Sequence, residues 1–518
     1  MSGDTLQIFI SMIIYMAVVI GIGLYFAKRA NESSENYFLG GRTLSPLVTA
    51  MSAEASDMSG WLLMGLPGVA YWYGLSDAVW TAIGLAAGTY LNWLFIAKRL
   101  HNYSVAAANS ITLPDFFSNR FKEKNKVIMT ISAIFILVFF IVYASSCFVT
   151  VGKLFNALFG FKYQYMMILG AVFVLFYTYI GGFLAESASD TMQAFVMIIA
   201  LVTILLVGTY AAGGAAQVIE NAKEIPGFFE FFGIASPAVT DGVQEVVNGV
   251  PQYNAAGQYG LYTILSTLAW GLGYFGMPQV LLRFMAIRDP NELKTSRRIA
   301  TVWVVISLAA AVAIGIIGRA VFPTALLTYS DSESIFIVLS SKLLPAFLAG
   351  FVMAGILAAT ISSSDSYLLI AASAFSKNIY QHLIKKDASD KQVMSVSRVI
   401  LVVISIIGIF IAFDEDSVIF TIVSFAWAGF GATFGPITIF SLFWKRTSRE
   451  GAIAGMLSGG IMVFVWKLIL KPMGGLFGVY ELLPAFIISC IFIYAVSKMT
   501  AEPSEEIQNE FEMVRKMS

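Results

Sequence analysis

The sequence predicts an all-α integral membrane protein with about thirteen transmembrane helices, and three observations lead to this prediction. First, 58% of the 518 residues are hydrophobic and 12% are charged, whereas a soluble globular protein has about 25% charged residues. Second, apolar windows long enough to cross ~30 Å of hydrocarbon recur along the whole chain. Third, basic residues are concentrated on alternate loops. Such a chain cannot cover itself with polar surface in water. We therefore expect it to lie in a lipid bilayer, which is its predicted partner.

The spans follow from the apolar windows, and we number them in chain order. Most windows are close to the ~20 residues that an α-helix needs to cross a bilayer. We expect the spans near residues 7–27, 46–66, 78–97, 128–156, 164–184, 191–214, 260–282, 299–322, 343–372, 397–413, 418–444, 451–470 and 480–498. The connection at 216–259 is too polar to cross, and a short amphipathic helix is expected within it near 224–233.

The distribution of basic residues predicts the orientation. With the N-terminus outside, about 25 of the 32 basic residues face the cytoplasm, as the positive-inside rule requires. The acidic stretches at 331–333 and 414–416 then lie outside. An even number of crossings would break this alternation. We therefore expect a multi-pass protein of the cell (plasma or inner) membrane with a cytoplasmic C-terminus.

Composition also excludes several classes of function. A net charge of zero gives no basic field for nucleic acid. Cys147 and Cys490 lie in apolar stretches and are interpreted as core residues rather than a disulfide. His101 and His382 are too few and too far apart for a metal cluster, and neither a zinc-protease motif nor a P-loop occurs. A membrane enzyme, a channel and a nutrient receptor remain as alternatives to a carrier, and no obligate protein partner or organic cofactor is evident.

Span 2 is unusually polar and is expected to be interrupted. Two carboxylates at mid-depth are expensive in lipid and usually mark a pathway, while serine and glycine allow the backbone to open. Freed carbonyls and half-helix ends are tolerated only where they line a cavity. The alternative is a polar seam between helices. The polar centre consists of Ser52, Glu54, Ser56, Asp57, Ser59 and Gly60.

Span 7 shows the same features, with three glycines at 271, 273 and 276 followed by Pro278. Proline removes a backbone donor and clashes with the preceding turn, so it breaks or kinks the helix. Trp270 and Tyr274 are four residues apart and are expected on one helical face. The pair alone is typical of packing, but beside a helix break it favours ligand contact.

The two interrupted spans each open a series of five, spans 2–6 at about 46–214 and spans 7–11 at about 260–444. Five is odd, so the two series must have opposite orientations in the membrane. Interrupted helices at matching positions indicate an inverted-repeat transporter with its site at the midplane. The halves show no evident residue-level similarity, so the repeat is inferred from the pattern alone. Residues 499–518 form a cytoplasmic tail, and the whole chain is one transmembrane domain.

Span 9 carries a polar stripe that indicates a cation site. Ala359, Ser362, Ser363 and Ser366 have the spacing of one helix face. Hydroxyl oxygens together with freed carbonyls suit a hard cation such as sodium. Serine also permits close helix packing, which is the alternative interpretation. Asp365 within the stripe weakens that alternative.

Five stretches of the chain carry a resemblance to a known family. They are YFLGGRTLSPLVTAMSAEASDMSGWLLMGLPG, TLPDFFSNRF, YTYIGGFLA, WGLGYFGMPQVLLRFMA and FAWAGFGATFGP. They extend from the first loop to the last spans, so the likeness covers nearly the whole chain. The sequence resembles the sodium:solute symporter family, and most closely its proline-transporting branch. The resemblance implies sodium-coupled import of a small amino acid, L-proline, in a five-plus-five inverted repeat; another small solute is the alternative.

The resemblance also implies residue roles. Sodium is expected between the carbonyls of Ala55, Met58 and Ala359 and the hydroxyls of Ser362 and Ser363, with Asp57 needed for coupling. Arg42 and Asp77 match charged positions at the two ends of the pathway. Glu54 and Asp365 depart from the family pattern and leave the number of sodium ions open. Proline is expected against Ser59, Gly60, Trp61, Tyr143, Trp270, Tyr274 and Pro278.

Asp190 and Asp365 suggest a second cation site. Asp190 opens span 6 as predicted here, and in this fold span 6 packs near span 9. Two buried like charges need a cation or a proton between them. The hypothesis is a second cation held by Asp190, Ser362, Asp365 and Ser366. The alternatives are a helix cap at Asp190 and a single protonated Asp365 that supports its helix.

Overall fold

The chain folds almost entirely into helices. A computed structural model describes residues 3–30 and 32–517, with side-chain surroundings for all of these except 27–30, 180 and 181. Within this part of the chain, ten helices are long and apolar enough to cross a membrane. The all-α membrane class is therefore confirmed.

Eleven predicted spans correspond to single helices or helices that run on through a short π-helical turn. Span 3 continues to Ala106 and span 9 continues to Ile384. Span 5 has a shorter apolar part, Tyr163–Tyr179. The bounds are Gly3–Ala30, Leu75–Leu91, Val127–Phe159, Tyr163–Gly181, Phe183–Ala211, Leu293–Val321, Ala346–Ser373, Asp390–Ile411, Ile419–Phe443, Arg449–Val465 and Leu482–Met499.

Spans 2 and 7 are interrupted, as predicted. Span 2 consists of Pro46–Asp57, a π-helical turn at Trp61–Gly65 and Leu66–Tyr73. Span 7 consists of Leu261–Leu268, a 3₁₀ helix at Ala269–Gly276 and Pro278–Ala286. Neither is a continuous apolar helix, so thirteen crossings stays a prediction.

Local sequence explains where these half-helices begin. The Ser45 hydroxyl accepts a hydrogen bond from the Val48 amide, and Pro46 occupies the first turn, where its missing N–H is not needed. In span 7, Met277 is extended, with φ −75° and ψ 110°, and Pro278 restarts the helix. Proline disfavours the helical conformation for the residue before it, which fixes the break at Met277.

Spans 9 and 11 form the centre of the bundle. In each, 78% of the apolar window is buried inside the protein, against 28% for spans 1 and 12. Span 9 packs against spans 1, 4 and 6, and span 11 against spans 4, 12 and 13 and the 3₁₀ part of span 7. Functional groups on span 9 are therefore shielded from lipid.

The connection between spans 6 and 7 contains a helix and three small ribbons. The helix is Ala215–Lys223, earlier than predicted, and it is followed by turns at 224–229, where Pro226 and Gly227 at φ +74° oppose a helix. The expected helix at 224–233 was therefore wrong. The ribbons pair Gly233–Ile234 with Gly257–Gln258, Val239–Thr240 with Val243–Gln244, and Val246–Val247 with Val250–Pro251, all antiparallel.

Shorter elements cover the ends of the spans. The tail forms the helix Glu505–Met517, which buries Ile507, Phe511 and Val514 and packs against Ala97–Ala106. The other short helices and helical turns are Ser34–Leu39, Gly40–Arg42, Asn92–Ile96, Leu113–Arg120, Pro290–Glu292, Tyr329–Ser332, Ile335–Leu343, Ala374–Ile384, Trp466–Leu470, Lys471–Met473 and Gly475–Gly478.

Candidate functional site

The break in span 2 exposes backbone oxygen inside the protein. Asp57 is the last residue of the first half-helix, and Met58 leaves helical geometry with φ −88° and ψ 75°. The carbonyl of Asp57 accepts hydrogen bonds from the Trp61 indole at 3.3 Å and from the Tyr143 and Tyr367 hydroxyls at 3.5 Å. The aromatic residues on spans 2, 4 and 9 thus converge on the opened backbone.

The Asp57 side chain joins the two interrupted spans. Its carboxylate accepts hydrogen bonds from the Tyr274 hydroxyl at 2.8 Å and from the Gln279 amide at 3.2 Å. All three residues are buried. Gln279 was not singled out from the sequence, although it follows Pro278 directly. The two helix breaks therefore meet around one carboxylate.

Most of the predicted sodium ligands lie together. The Ser362 hydroxyl is 2.8 Å from the carbonyl oxygen of Ala55 and 3.2 Å from that of Ala359, and the Ser363 hydroxyl is 3.2 Å from the Ala55 oxygen. Met58 is buried at the break, three residues after Ala55. An all-oxygen group of carbonyls and hydroxyls is chemically suited to a hard monovalent cation.

The other residues predicted to line the pocket in span 2 are also buried. The Ser59 hydroxyl has no hydrogen-bond partner within residues 3–30 and 32–517. A Cβ at Gly60 would lie 2.3 Å from the Thr150 hydroxyl oxygen, so only glycine fits between spans 2 and 4. Tyr143 stacks on Tyr367, with ring centroids 4.2 Å apart. Tyr367 follows the serine stripe, but its role was not visible in the sequence.

Trp270 and Tyr274 do not share an α-helical face, and that expectation was wrong. They lie in the 3₁₀ stretch Ala269–Gly276, where a turn takes three residues and positions four apart diverge. Trp270 stacks on Tyr480 at 5.1 Å, while Tyr274 meets the Trp427 ring edge-on at 5.0 Å. The Trp427 indole also donates to the Trp270 carbonyl at 2.8 Å. One indole from span 11 thus connects the two aromatic residues, and Pro278 starts the next half-helix.

Asp190 is paired with Arg283, which lies one residue beyond the predicted end of span 7 at residue 282. Arg283 is fully buried in Pro278–Ala286. Its guanidinium lies 3.2 Å from the Asp190 carboxylate, donates to the Ser366 hydroxyl at 2.9 Å and to the Ser52 hydroxyl at 3.0 Å, and forms an ion pair with Glu186. A fixed cation thus lies between two of the acidic residues.

The expected position of Asp190 at the start of span 6 was also wrong. The helix begins at Phe183, so Asp190 lies two turns inside and does not cap it. Hydropathy placed the start too late because Glu186 and Asp190 lower the local average. Asp365 accepts from the Ser366 amide at 2.8 Å, and its other oxygen has no partner in the described part of the chain.

The remaining charged residues occupy separate places. Glu54 accepts a hydrogen bond from the Trp93 indole at 3.2 Å, beside the break. Arg42 precedes the first half-helix of span 2 and donates to the Met285 carbonyl at 2.6 Å. Asp77 follows the second half-helix and accepts from the Tyr259 hydroxyl at 2.6 Å. Arg42 and Asp77 therefore lie beyond opposite ends of span 2.

The fold is that of sodium-coupled symporters of known structure. The structure of a sodium-coupled sialic acid symporter in its substrate-bound outward-open state matches with a TM-score of 0.76 and 17% identity, over 96% of this chain and 99% of that one. A nucleobase-cation-symport-1 family transporter matches with a TM-score of 0.54 and 13% identity, over 92% and 98% of the two chains. At these identities the likeness establishes the fold alone.

Comparison of sequences identifies the family. The sodium/proline symporters of Staphylococcus aureus strains JH9 and COL are each 39% identical over 515 residues, which cover 98% of this chain and 96% of theirs. The profile of the sodium:solute symporter family matches residues 37–459. These are transporters rather than membrane enzymes. The chain belongs to the sodium:solute symporter family.

Proposed function

We propose that this protein is a secondary active symporter that couples the entry of sodium to the import of L-proline. The observation that carries the proposal is the meeting of both helix breaks at Asp57, next to the oxygen group of Ala55, Ser362 and Ser363. Relatives at 39% identity named sodium/proline symporter support the choice of substrate. Another small solute of the family is the second candidate.

The proposed sodium site consists of the carbonyls of Ala55, Met58 and Ala359 and the hydroxyls of Ser362 and Ser363. In the structure, the Ser362 hydroxyl is within hydrogen-bond distance of the carbonyl oxygens of Ala55 and Ala359, and the Ser363 hydroxyl is within hydrogen-bond distance of the Ala55 oxygen. A bound cation takes those oxygens as ligands, and the serine hydrogens turn away. The ion then links span 2 to span 9, and Asp57 adds negative charge beside it.

The proposed proline pocket begins at the same break. The free Ser59 hydroxyl and the half-helix ends offer polar partners for a zwitterion. Tyr143 and Tyr274 supply aromatic surface and hydroxyls for a small apolar ring. The full proposed set is Ser59, Gly60, Trp61, Tyr143, Trp270, Tyr274 and Pro278.

We also retain a second cation at Asp190, Ser362, Asp365 and Ser366 as a proposal. Three buried carboxylates, those of Glu186, Asp190 and Asp365, lie near the single guanidinium of Arg283. If all are ionised, negative charge remains, and burying it without a further cation is costly.

The proposed arrangement in the membrane has the N-terminus outside, the C-terminus in the cytoplasm, and thirteen crossings of the cell membrane. Spans 2–6, at about 46–214, would form one repeat, and spans 7–11, at about 260–444, the inverted one. The interruption of both opening spans supports this division.

Uptake into proteoliposomes tests the proposed function. Labelled proline should accumulate only when an inward sodium gradient is imposed, and a panel of labelled amino acids should show proline as the preferred substrate. Uptake driven equally by potassium would contradict sodium coupling. Downhill flux without accumulation would indicate a channel, and chemical conversion of the solute would indicate an enzyme.

A further inference from the structure

Two cavities adjoin along one face of span 8. The first, of about 780 Å³, lies between spans 3, 6 and 8, and the second, of about 540 Å³, lies under the connection between spans 6 and 7. Ala309 and Val312 line the first, Ile316 lines both, and Arg319 and Pro323 line the second. Spacings of three and four residues place Ala309, Val312, Ile316 and Arg319 on one face of span 8, and Pro323 follows the end of that helix. The two cavities therefore meet at Ile316 and lie one after the other along span 8, with the second at the loop side of the membrane. We call this pair of cavities the track.

The first cavity is an apolar groove that opens toward lipid. Thr209 is the one polar residue among the described residues that line it. At its edges, Ile83 on span 3 and Val305 on span 8 are 42% and 50% exposed in membrane-spanning helices, and Ile219 on the connecting helix Ala215–Lys223 is 37% exposed. A groove of this lining and position is suited to a hydrocarbon chain.

The second cavity contains a buried cation without an acidic partner. Arg319 is 2% exposed, and its guanidinium donates to the carbonyls of Tyr71 at 3.0 Å and Pro323 at 2.7 Å. Its second terminal nitrogen has no partner, and no carboxylate forms an ion pair with it, within the ranges 3–30 and 32–517. The ring centroid of Tyr71 lies 4.0 Å from the guanidinium carbon, and the ring partly stabilises the charge. A ring has no net charge, so the guanidinium still has no counter-charge among the described residues, and an anionic group at this end of the track would supply one.

One acidic residue lines the same chamber. Glu224 is exposed and belongs to the connection that covers the chamber. The chamber thus presents one positive and one negative side chain to its occupant. A phosphodiester followed by an ammonium group matches that pair of charges, and Arg is well suited to phosphate.

We propose that this track binds one phospholipid with an amine headgroup. An acyl chain lies in the groove along span 8, the phosphate lies against Arg319, and the ammonium group lies toward Glu224. The charged chamber alone suits any small zwitterion, but the adjoining apolar groove opens to the bilayer and favours a lipid. The inference does not depend on which solute the protein transports.

Native mass spectrometry of the delipidated full-length protein, titrated with defined lipids, tests this site. Phosphatidylethanolamine should bind at one saturable site and more tightly than phosphatidylglycerol. Ala309→Phe fills the groove and should weaken that binding about tenfold, the scale of losing one well-made contact. Ala17→Phe, an equal change at an exposed position on span 1, should leave it unchanged.

A substitution at the end of the track that faces the lipid headgroup tests the contribution of charge separately from that of shape. Arg319→Gln would also remove bonds to two backbone carbonyls and risks misfolding, so the exposed Glu224 is the better position. Glu224→Gln should abolish the preference for phosphatidylethanolamine over phosphatidylglycerol. Equal binding by Ala309→Phe and the unmodified protein would overturn the proposal. Displacement of the bound lipid by excess proline would assign the chamber to a small zwitterion instead.

Discussion

Ser362 and Ser363 contribute side-chain oxygen to the proposed sodium site. Ser362→Ala or Ser363→Ala should raise the sodium concentration for half-maximal uptake about tenfold to a hundredfold, because a ligand oxygen in a dry site is worth roughly 1–3 kcal/mol. Proline affinity at saturating sodium should change much less. Ser364→Ala is the matched control, since that hydroxyl donates to Thr360 of its own helix at 2.6 Å. A collapse of proline binding with unaltered sodium dependence would assign the stripe to the substrate.

Tyr274 connects the two helix breaks through its hydroxyl. Tyr274→Phe removes the 2.8 Å hydrogen bond to Asp57 and keeps the ring, so proline affinity should fall about tenfold through loss of a bond to a charged acceptor. Equilibrium binding of labelled proline measures this. Tyr163→Phe, whose hydroxyl donates to the Ala412 carbonyl at 2.7 Å, is the control. Equal effects of the two changes would place Tyr274 outside the pocket.

Among individual residues, the sequence predicted those whose polar side chains lie at membrane depth or at helical spacing. Asp57, Ser362 and Ser363 were singled out as polar residues at membrane depth, and the structure places them around the break in span 2. Arg283 was missed because a basic residue near the end of an apolar window is ordinarily cytoplasmic. Trp427 was missed because the sequence of an apolar helix does not indicate which residues an aromatic side chain will contact.

At the scale of helices, the close contact between spans 2 and 4 depends on one glycine. Gly60→Ala should abolish proline uptake, since its Cβ would lie 2.3 Å from the Thr150 hydroxyl oxygen and 2.5 Å from its methyl carbon, and both atoms lie in a packed interior. Thr150→Ala removes both atoms and should partly restore uptake in the double variant. Uptake by Gly60→Ala at the normal rate would show that the spans can separate here.

The interruptions of spans 2 and 7 could be predicted because Pro278 and the serine and glycine residues break helices by known mechanisms. The 3₁₀ winding of Ala269–Gly276 could not be predicted, because glycine weakens an α-helix without specifying the conformation that replaces it, and the tighter winding accompanies packing against span 11. The prediction that Trp270 and Tyr274 share one face assumed 3.6 residues per turn of helix. It was wrong because the stretch is a 3₁₀ helix. Helix type inside a break is set by tertiary contacts.

At the scale of the whole molecule, the orientation can be tested by cysteine labelling. A cysteine near residue 385, as in Lys386→Cys, should react only from the cytoplasmic side, and Glu245→Cys only from outside, because an odd number of crossings separates them. The unmodified protein, with Cys147 and Cys490, gives the background. Labelling of both positions from one face would exclude the thirteen-span arrangement.

The ion stoichiometry is also a property of the whole cycle. One sodium ion that crosses ~100 mV with a tenfold gradient supplies roughly 3.7 kcal/mol, and two ions supply twice that. If the second site at Asp190 and Asp365 is used, the charge moved per labelled proline should be close to two in voltage-clamped proteoliposomes. It should fall toward one in Asp365→Ser. A ratio of one charge per proline in the unmodified protein would contradict the proposed second cation site.

The break between Asp57 and Gly60 has a thermodynamic consequence for how the binding of one ligand affects the other. Residues outside regular helix keep more conformational freedom, and fixing each costs about 1–2 kcal/mol. In the proposed sodium site, the ion is bound by the carbonyls of Ala55 and Met58. Sodium binding therefore orders the break in span 2, which also faces the substrate. Proline then binds to a segment whose disorder has already been removed. The two ligands cooperate through entropy even without a visible shift of the helices, so apparent proline affinity rises with sodium and apparent sodium affinity rises with proline by the same factor.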